Sequence, residues 1–102
     1  MPTRIRWTRQ SREDLRAIRD FIARDAPRTA SAYVRRLRQS VERLETFPLI
    51  GQVVAELGRE DVREVLCGSY RIIYRVGASH IDVLTVFHGA RLLHEADVDW
   101  PD

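Results

Sequence analysis

Lysine is missing from this 102-residue chain: all 17 basic positions are arginine, so every cation is a planar, permanently charged fork suited to carboxylates and phosphates alike. Cysteine occurs once, at Cys67, which excludes an intramolecular disulfide; within a strand-like pattern it reads as a small buried hydrophobe. Cys67, His80, His88 and His94 include no close-spaced pair of the zinc type, so no metal is expected. There is no glycine-rich phosphate loop and no serine at a nucleophile elbow, so neither a cofactor nor a Ser/His/Asp hydrolase is expected. No apolar run is long enough to cross a bilayer, and Met1-Pro2-Thr3-Arg4 does not open a signal peptide; the expectation is a cytoplasmic protein without membrane contact. Repeats, low-complexity tracts and linkers are also lacking, which leaves one domain spanning residues 1–102. At this length folding buries roughly two-thirds of the unfolded surface, enough for a core without covalent staples.

The charge is unevenly spread although the net value is only +2. Residues 1–47 hold 12 arginines against 6 acids, whereas residues 48–102 hold 5 against 9. The basic half suits nucleic acid or an acidic protein segment; solvated helix faces would look the same.

Arg4-Ile5-Arg6-Trp7 alternates charge with apolar residues and predicts a short strand. Thr8 or Ser11 then caps a helix, with Ser11-Arg12-Glu13-Asp14 approximating a capping box. Leu15, Ile18 and Ile22, with Phe21 beside them, make one apolar stripe on a helix ending near Asp25. Ala26-Pro27 breaks it, and Ala30, Val34, Leu37, Val41 and Leu44 define a second amphipathic helix that stops before Phe47-Pro48. A short link between two such helices predicts an antiparallel hairpin, with most arginines off the stripe. The period then changes to two. Strands are predicted at 53–57, 62–67 and 70–76, and a last one from Ile81 to His88, joined by turns at Gly58-Arg59-Glu60-Asp61, Gly68-Ser69 and Gly77-Ala78-Ser79. The tail 90–102 carries Leu92, Leu93, Val98 and Trp100 and an acidic end; it has no assignment beyond packing back on the sheet.

An apolar sheet face needs a cover, and the helical hairpin is the available one. The expected fold is therefore α+β: an N-terminal strand, then an antiparallel helical hairpin packed on one face of an antiparallel sheet, the opposite face being left for function. Alternation along 70–76 puts Arg71, Ile73 and Arg75 on that other face. Two arginines on a partly apolar face need anionic company, either Glu64, Asp82 and the acidic tail or an anionic ligand. Arg63 and Arg91, at strand ends, would extend such a patch. His88, closing a strand three residues from Arg91, is either structural or a general base; His80 lies in a turn.

The run Ser69-Tyr70-Arg71-Ile72-Ile73-Tyr74, followed by Phe87-His88-Gly89-Ala90-Arg91 and preceded by a helical hairpin, resembles the RelE/ParE family of bacterial toxins. His88-Gly89-Ala90-Arg91 looks closest to the ParE branch, where a histidine, a small pair and an arginine close the last strand. Asp14-Leu15 followed by Ile18 and Phe21-Ile22, and a second helix opening at Pro27 with Ala30, look ParE-like too, so the resemblance runs from Trp7 to Arg91. It implies a RelE/ParE-like fold and the toxin role of a type II toxin–antitoxin system. The partner would be a cognate antitoxin, ParD-like or of another family, and operator DNA would be reached only through it. ParE proteins inhibit DNA gyrase by binding, so gyrase is the implied target.

The resemblance also carries alternatives. In RelE-type enzymes, arginines matching Arg71 and Arg91 stabilise the phosphate of messenger RNA cut on the ribosome, and with His88 as base they would form the catalytic set of an endoribonuclease. RelE-type nucleases add a C-terminal tyrosine and lysines, and this chain has neither. A third possibility is a non-toxic remnant that only binds its antitoxin. Under the binding reading, Arg63, Arg71, Arg75, His88 and Arg91 face the target, while Arg16, Arg19, Arg35 and Arg38 on the basic hairpin receive an acidic antitoxin segment, with the sheet edge as a further docking line.

Overall fold

A computed structural model describes residues 3–101; Met1 and Pro2, which open the chain, and Asp102, which ends the acidic tail, lie outside the described residues. In chain order the elements are β1 (Arg4–Trp7), α1 (Arg9–Ala23), α2 (Pro27–Glu42) with a 3-10 turn at Arg43–Glu45, β2 (Gln52–Val53), β3 (Val62–Cys67), β4 (Tyr70–Val76), β5 (His80–His88) and a 3-10 turn at Glu95–Asp97. No helix among the described residues is long and apolar enough to cross a membrane.

The helices follow the apolar stripes. On α1, Leu15 and Ile18 are buried, while Phe21 points out and is 64% exposed. Thr8, not Ser11, is the N-cap: its hydroxyl oxygen accepts from the Ser11 N–H at 3.2 Å. Ser11 is buried inside the first turn, so the expected Ser11–Asp14 box does not form. Asp14 is used elsewhere, accepting from the Thr85 hydroxyl at 2.5 Å and the Val86 N–H at 3.0 Å on β5. On α2, Pro27 starts the helix and Ala30, Leu37 and Val41 are buried, with Leu44 continuing the stripe in the 3-10 turn.

The sheet runs β1-β5-β4-β3-β2. β2 to β5 are antiparallel neighbours, but β1 pairs with β5 in parallel, Ile5 opposite Ile81 and Trp7 opposite Val83, so the expected antiparallel sheet is mixed. Parallel neighbours need a crossover rather than a hairpin, and α1 and α2 belong to the connection that supplies it. β1 stops short of the outer edge of β5, where Thr8 and Asp14 take over: Thr8 bonds the carbonyls of Val83 and Leu84, and Asp14 takes the Val86 N–H. The strand expected over 53–57 shrinks to Gln52–Val53, because the Leu57 and Gly58 N–H groups turn back to the Val54 carbonyl. Before it, Gly51 passes so close to β3 and β4 that a Cβ would meet Glu64 O and Tyr74 Oη at 2.5 Å each.

Both faces of the sheet are covered. The helices pack on Cys67, Ile72, Tyr74, Ile81, Val83 and Val86. The opposite face, expected to be open, carries a second core in which Val54, Leu93 and Val98 cover Val62, Ile73, Leu84 and Phe87. A register shift at Ile73/Tyr74 leaves Leu84 as the extra residue of β5, which changes the phase of that strand and lets Leu84 and Phe87 share one face. The tail is thus a structural cover.

Candidate functional site

Arg71 lies on β4 on the face under the tail, 8% exposed. Its guanidinium has five N–H donors, and each meets an acceptor. Nε donates to Glu64 at 3.1 Å; Nη1 donates to Glu56 at 2.6 Å and to the Arg91 carbonyl at 3.2 Å. Nη2 donates to Glu56 at 3.0 Å and to Glu64. The fork is therefore saturated by two carboxylates and one carbonyl. Hydrogen bonding by Arg71, chiefly, with help from the Leu93 N–H, holds the Glu56 carboxyl down to about 2 against the raising effect of burial. The same bond to Glu56 raises Arg71. Glu56 also fastens the tail, since its Oε2 accepts from the Leu93 N–H at 2.9 Å.

Beside this cluster an open depression of ≈ 570 Å³ is lined by Tyr70, Arg71, His88, Gly89, Arg91 and Leu92, among others. The structure thus brings Arg71, His88 and Arg91 together. The Arg91 side chain is 64% exposed and reaches Asp97 only at 3.9 Å. His88 is exposed and stands edge-on to Tyr70, with ring centroids 5.8 Å apart. Its Nδ1 accepts from the Ala90 N–H at 3.2 Å, which puts the proton of the neutral ring on Nε2. Phe87 lies between the two arginines, each guanidinium carbon 5.2 Å from the ring centroid.

Arg75 and Arg63 stand apart from that depression. Arg75 is directly opposite Asp82 on β5 and donates to it at 3.3 Å and to the Pro101 carbonyl at 3.0 Å. Burial tends to raise the Asp82 carboxyl, but hydrogen bonds from Arg6 and Arg75 outweigh it and lower the group. Arg63, adjacent to Glu64 and by alternation on the other face of β3, donates to the carbonyls of Gly51 and Glu60 at 3.0 Å each, pinning the segment before β2. Of the residues expected to face a target, only His88 and Arg91 are left substantially exposed.

The hairpin presents a different kind of site. A cavity of ≈ 490 Å³ opens between α1, α2 and the end of β1, with Trp7, Leu15 and Val34 inside and Arg12, Arg16, Arg19 and Arg38 around it. No acid lines it. Three arginines expected on the docking face are gathered here; Arg35, exposed on α2, is not among them. Two functional candidates escaped the reading of the sequence. Arg12 was signalled only by its spacing of four and seven residues before Arg16 and Arg19, and Glu56 only as the one acid in Val53-Val54-Ala55-Glu56-Leu57.

Residues 5–93 match the family described as ParE toxin of type II toxin-antitoxin system, parDE. Toxin RelE2 of Caulobacter vibrioides is 31% identical over 86 residues, which cover 84% of this chain and 94% of that protein. A chain of the chromosomal ParDE TA system from P. aeruginosa has a similar fold, with a TM-score of 0.73 at 22% identity over 84% of this chain and 95% of that one. The toxin-antitoxin complex RelBE2 from Mycobacterium tuberculosis contains another, with a TM-score of 0.59 at 25% identity over 86% and 99% of the two chains. With the family match running from β1 to the second core, this chain belongs to the ParE toxin family of type II toxin–antitoxin systems.

Proposed function

We propose that this toxin acts by binding DNA gyrase rather than by cutting messenger RNA, and that a cognate antitoxin holds it inactive. The observation that carries this reading is the saturation of Arg71. To meet a scissile phosphate, Arg71 would have to leave Glu56 and Glu64, uncovering two carboxylates that repel the phosphate it came to bind. Without lysine in the chain, Arg91 would be the one exposed cation left in that depression for the transition state. For protein recognition the same surface is well composed: Arg91 and His88 are flanked by Leu66 and Leu92, each 68% exposed.

The antitoxin reading draws on the relatives, which come from ParDE and RelBE toxin–antitoxin pairs, and on the arginines of the hairpin. Gyrase and such an antitoxin both place the chain in the cytoplasm, with operator DNA met only through the antitoxin. The deciding experiment is expression of the chain alone, with plasmid topology and primer extension on translated messages followed in parallel. Relaxed plasmid with intact messages is the expected result. Codon-phased cuts that vanish in Arg91→Ala would replace gyrase by the ribosome and make the chain an endoribonuclease.

A further inference from the structure

We infer that the chain pairs with a second copy of itself through the apolar segment that leads into β2, at the open end of the sheet. Among the described residues, four of the seven large hydrophobics left exposed fall within residues 47–53: Phe47, Leu49, Ile50 and Val53, the first three more than half exposed. Together they offer apolar surface on the order of 400 Å², the size at which a patch marks an interaction site. The segment is held in place by its backbone. Gly51 donates its N–H to the buried Tyr74 hydroxyl at 2.9 Å, Arg63 donates to the Gly51 carbonyl at 3.0 Å, and the Ile50 N–H turns back to the Phe47 carbonyl at 3.2 Å. A backbone anchored inward presents these side chains outward in a fixed shape, which cuts the ordering cost of binding.

Two features favour a copy of this chain over another partner. The first is the sheet edge. β2 ends the sheet, and Val54 just after it donates its N–H to the Val62 carbonyl of β3 at 3.2 Å, so alternation turns the N–H and carbonyl of Val53 outward. Neither group has a backbone partner among the described residues. A donor and an acceptor on one residue are self-complementary: under a two-fold axis each Val53 donates to the carbonyl of the other. With only Gln52 and Val53 in the strand, pairing closes at two copies and does not grow into a ladder. The second feature is the charge around the patch. Glu42, Arg43 and Glu45 are exposed just before it, Arg43 sharing one depression with Ile50 and Gln52. Among the described residues these three make no salt bridge. The rim thus carries both signs, and a two-fold lets Arg43 of one copy meet Glu42 or Glu45 of the other, whereas the arginines around the hairpin cavity would repel a copy. Patch and rim together fall short of the roughly 800 Å² per partner of a standard interface, so the dimer dissociates in the micromolar range.

The test is sedimentation equilibrium of the purified full chain between about 1 and 500 μM. Its mass is expected to rise from 11.9 kDa towards twice that value across the range. Leu49→Asp/Ile50→Asp is expected to raise the dissociation constant roughly tenfold or more, whereas Phe21→Asp, at a similarly exposed residue on α1, changes it less than about twofold. Charge exchange then identifies the partner as a copy. Arg43→Glu and Glu42→Arg/Glu45→Arg are each expected to dimerise less than wild type, and an equimolar mixture of the two to recover the dimer. Circular dichroism establishes that each variant is folded, and Phe47→Ser serves if the double aspartate is not. A wild-type chain still monomeric at about 500 μM, or a dimer indifferent both to the aspartates and to the charge exchange, overturns the inference. If the free chain is monomeric and Leu49→Asp/Ile50→Asp loses antitoxin binding or growth arrest, the patch serves that other partner and the dimer is equally overturned.

Discussion

The arginines of the sheet and those of the hairpin are chemically identical and physically opposite. On β4, Arg71 and Arg75 sit among carboxylates and carbonyls and tie the second core to the tail. On the hairpin, Arg12, Arg16 and Arg38 extend from helix faces with no carboxylate partner among the described residues and surround an apolar cavity. The difference lies in what alternation and helical period make available. A strand residue on a covered face must bring its counter-charge with it, because leaving a charge unpaired there costs several kcal/mol. A helix residue off the apolar stripe is solvated and can wait for a partner. Arginines therefore hold the fold together in one region and stand exposed around an apolar cavity in the other.

Variants can break that contrast, and the largest effect is expected at the sheet. Arg71→Ala strands Glu56 and Glu64 beneath the tail and should cost about 3–5 kcal/mol in chemical denaturation; a loss under about 1 kcal/mol would mean the cluster relaxes into solvent. Leu37→Ala, at a fully buried position where α2 meets the sheet, should cost about 2–5 kcal/mol, with denaturant unfolding again the measurement. A smaller effect is expected with acid. The Glu56 carboxyl is lowered from 4.5 to about 2, so its contribution is complete above about pH 4.5 and is lost as pH falls towards 2. With some discount for residual solvent contact this is worth roughly 1–2 kcal/mol. Glu56→Gln should remove that part of the acid sensitivity, and an unchanged acid-unfolding profile would assign it to other carboxylates. The smallest stability change belongs to the hairpin: Arg16→Glu/Arg38→Glu should leave unfolding within about 0.5 kcal/mol of wild type. A larger destabilisation would make those arginines structural and erase the contrast.

Much of this was legible in the sequence, for identifiable reasons. Strands β3 and β4 run over the expected 62–67 and 70–76 because period-two alternation and the Gly68-Ser69 turn fix them locally; Gly68, at φ 58°, supplies the left-handed backbone such a turn requires. The helices follow from their stripes, apart from Phe21, which faces water. What eluded the sequence depends on distant partners. The parallel pairing of β1 with β5 joins residues about 76 positions apart, and no local pattern encodes it. Asp14, placed in a capping box by its spacing, is drawn off by the open edge of β5. The tail packs back on the sheet as expected, but the residues that do so, Leu93 and Val98 of the second core, were not legible because its apolar residues are irregularly spaced. At the site, Glu64 and Asp82 were foreseeable partners for Arg71 and Arg75, as strand alternation puts Glu64 on the face of Arg71, diagonally across from it, and Asp82 directly opposite Arg75. Glu56 was not, because it lies on a segment that turns instead of continuing as a strand.

Growth arrest by a cluster-neutral variant distinguishes an Arg71 that is a structural tie from one that is a reactive group. Arg71→Met with Glu56→Gln and Glu64→Gln removes all three charges together, a change that buried ion clusters often tolerate. This folded variant, expressed without antitoxin, is expected still to arrest growth and still to relax plasmid DNA. A variant that folds and binds the antitoxin normally but no longer arrests growth would contradict it, and would return Arg71 to the centre of the toxin's chemistry.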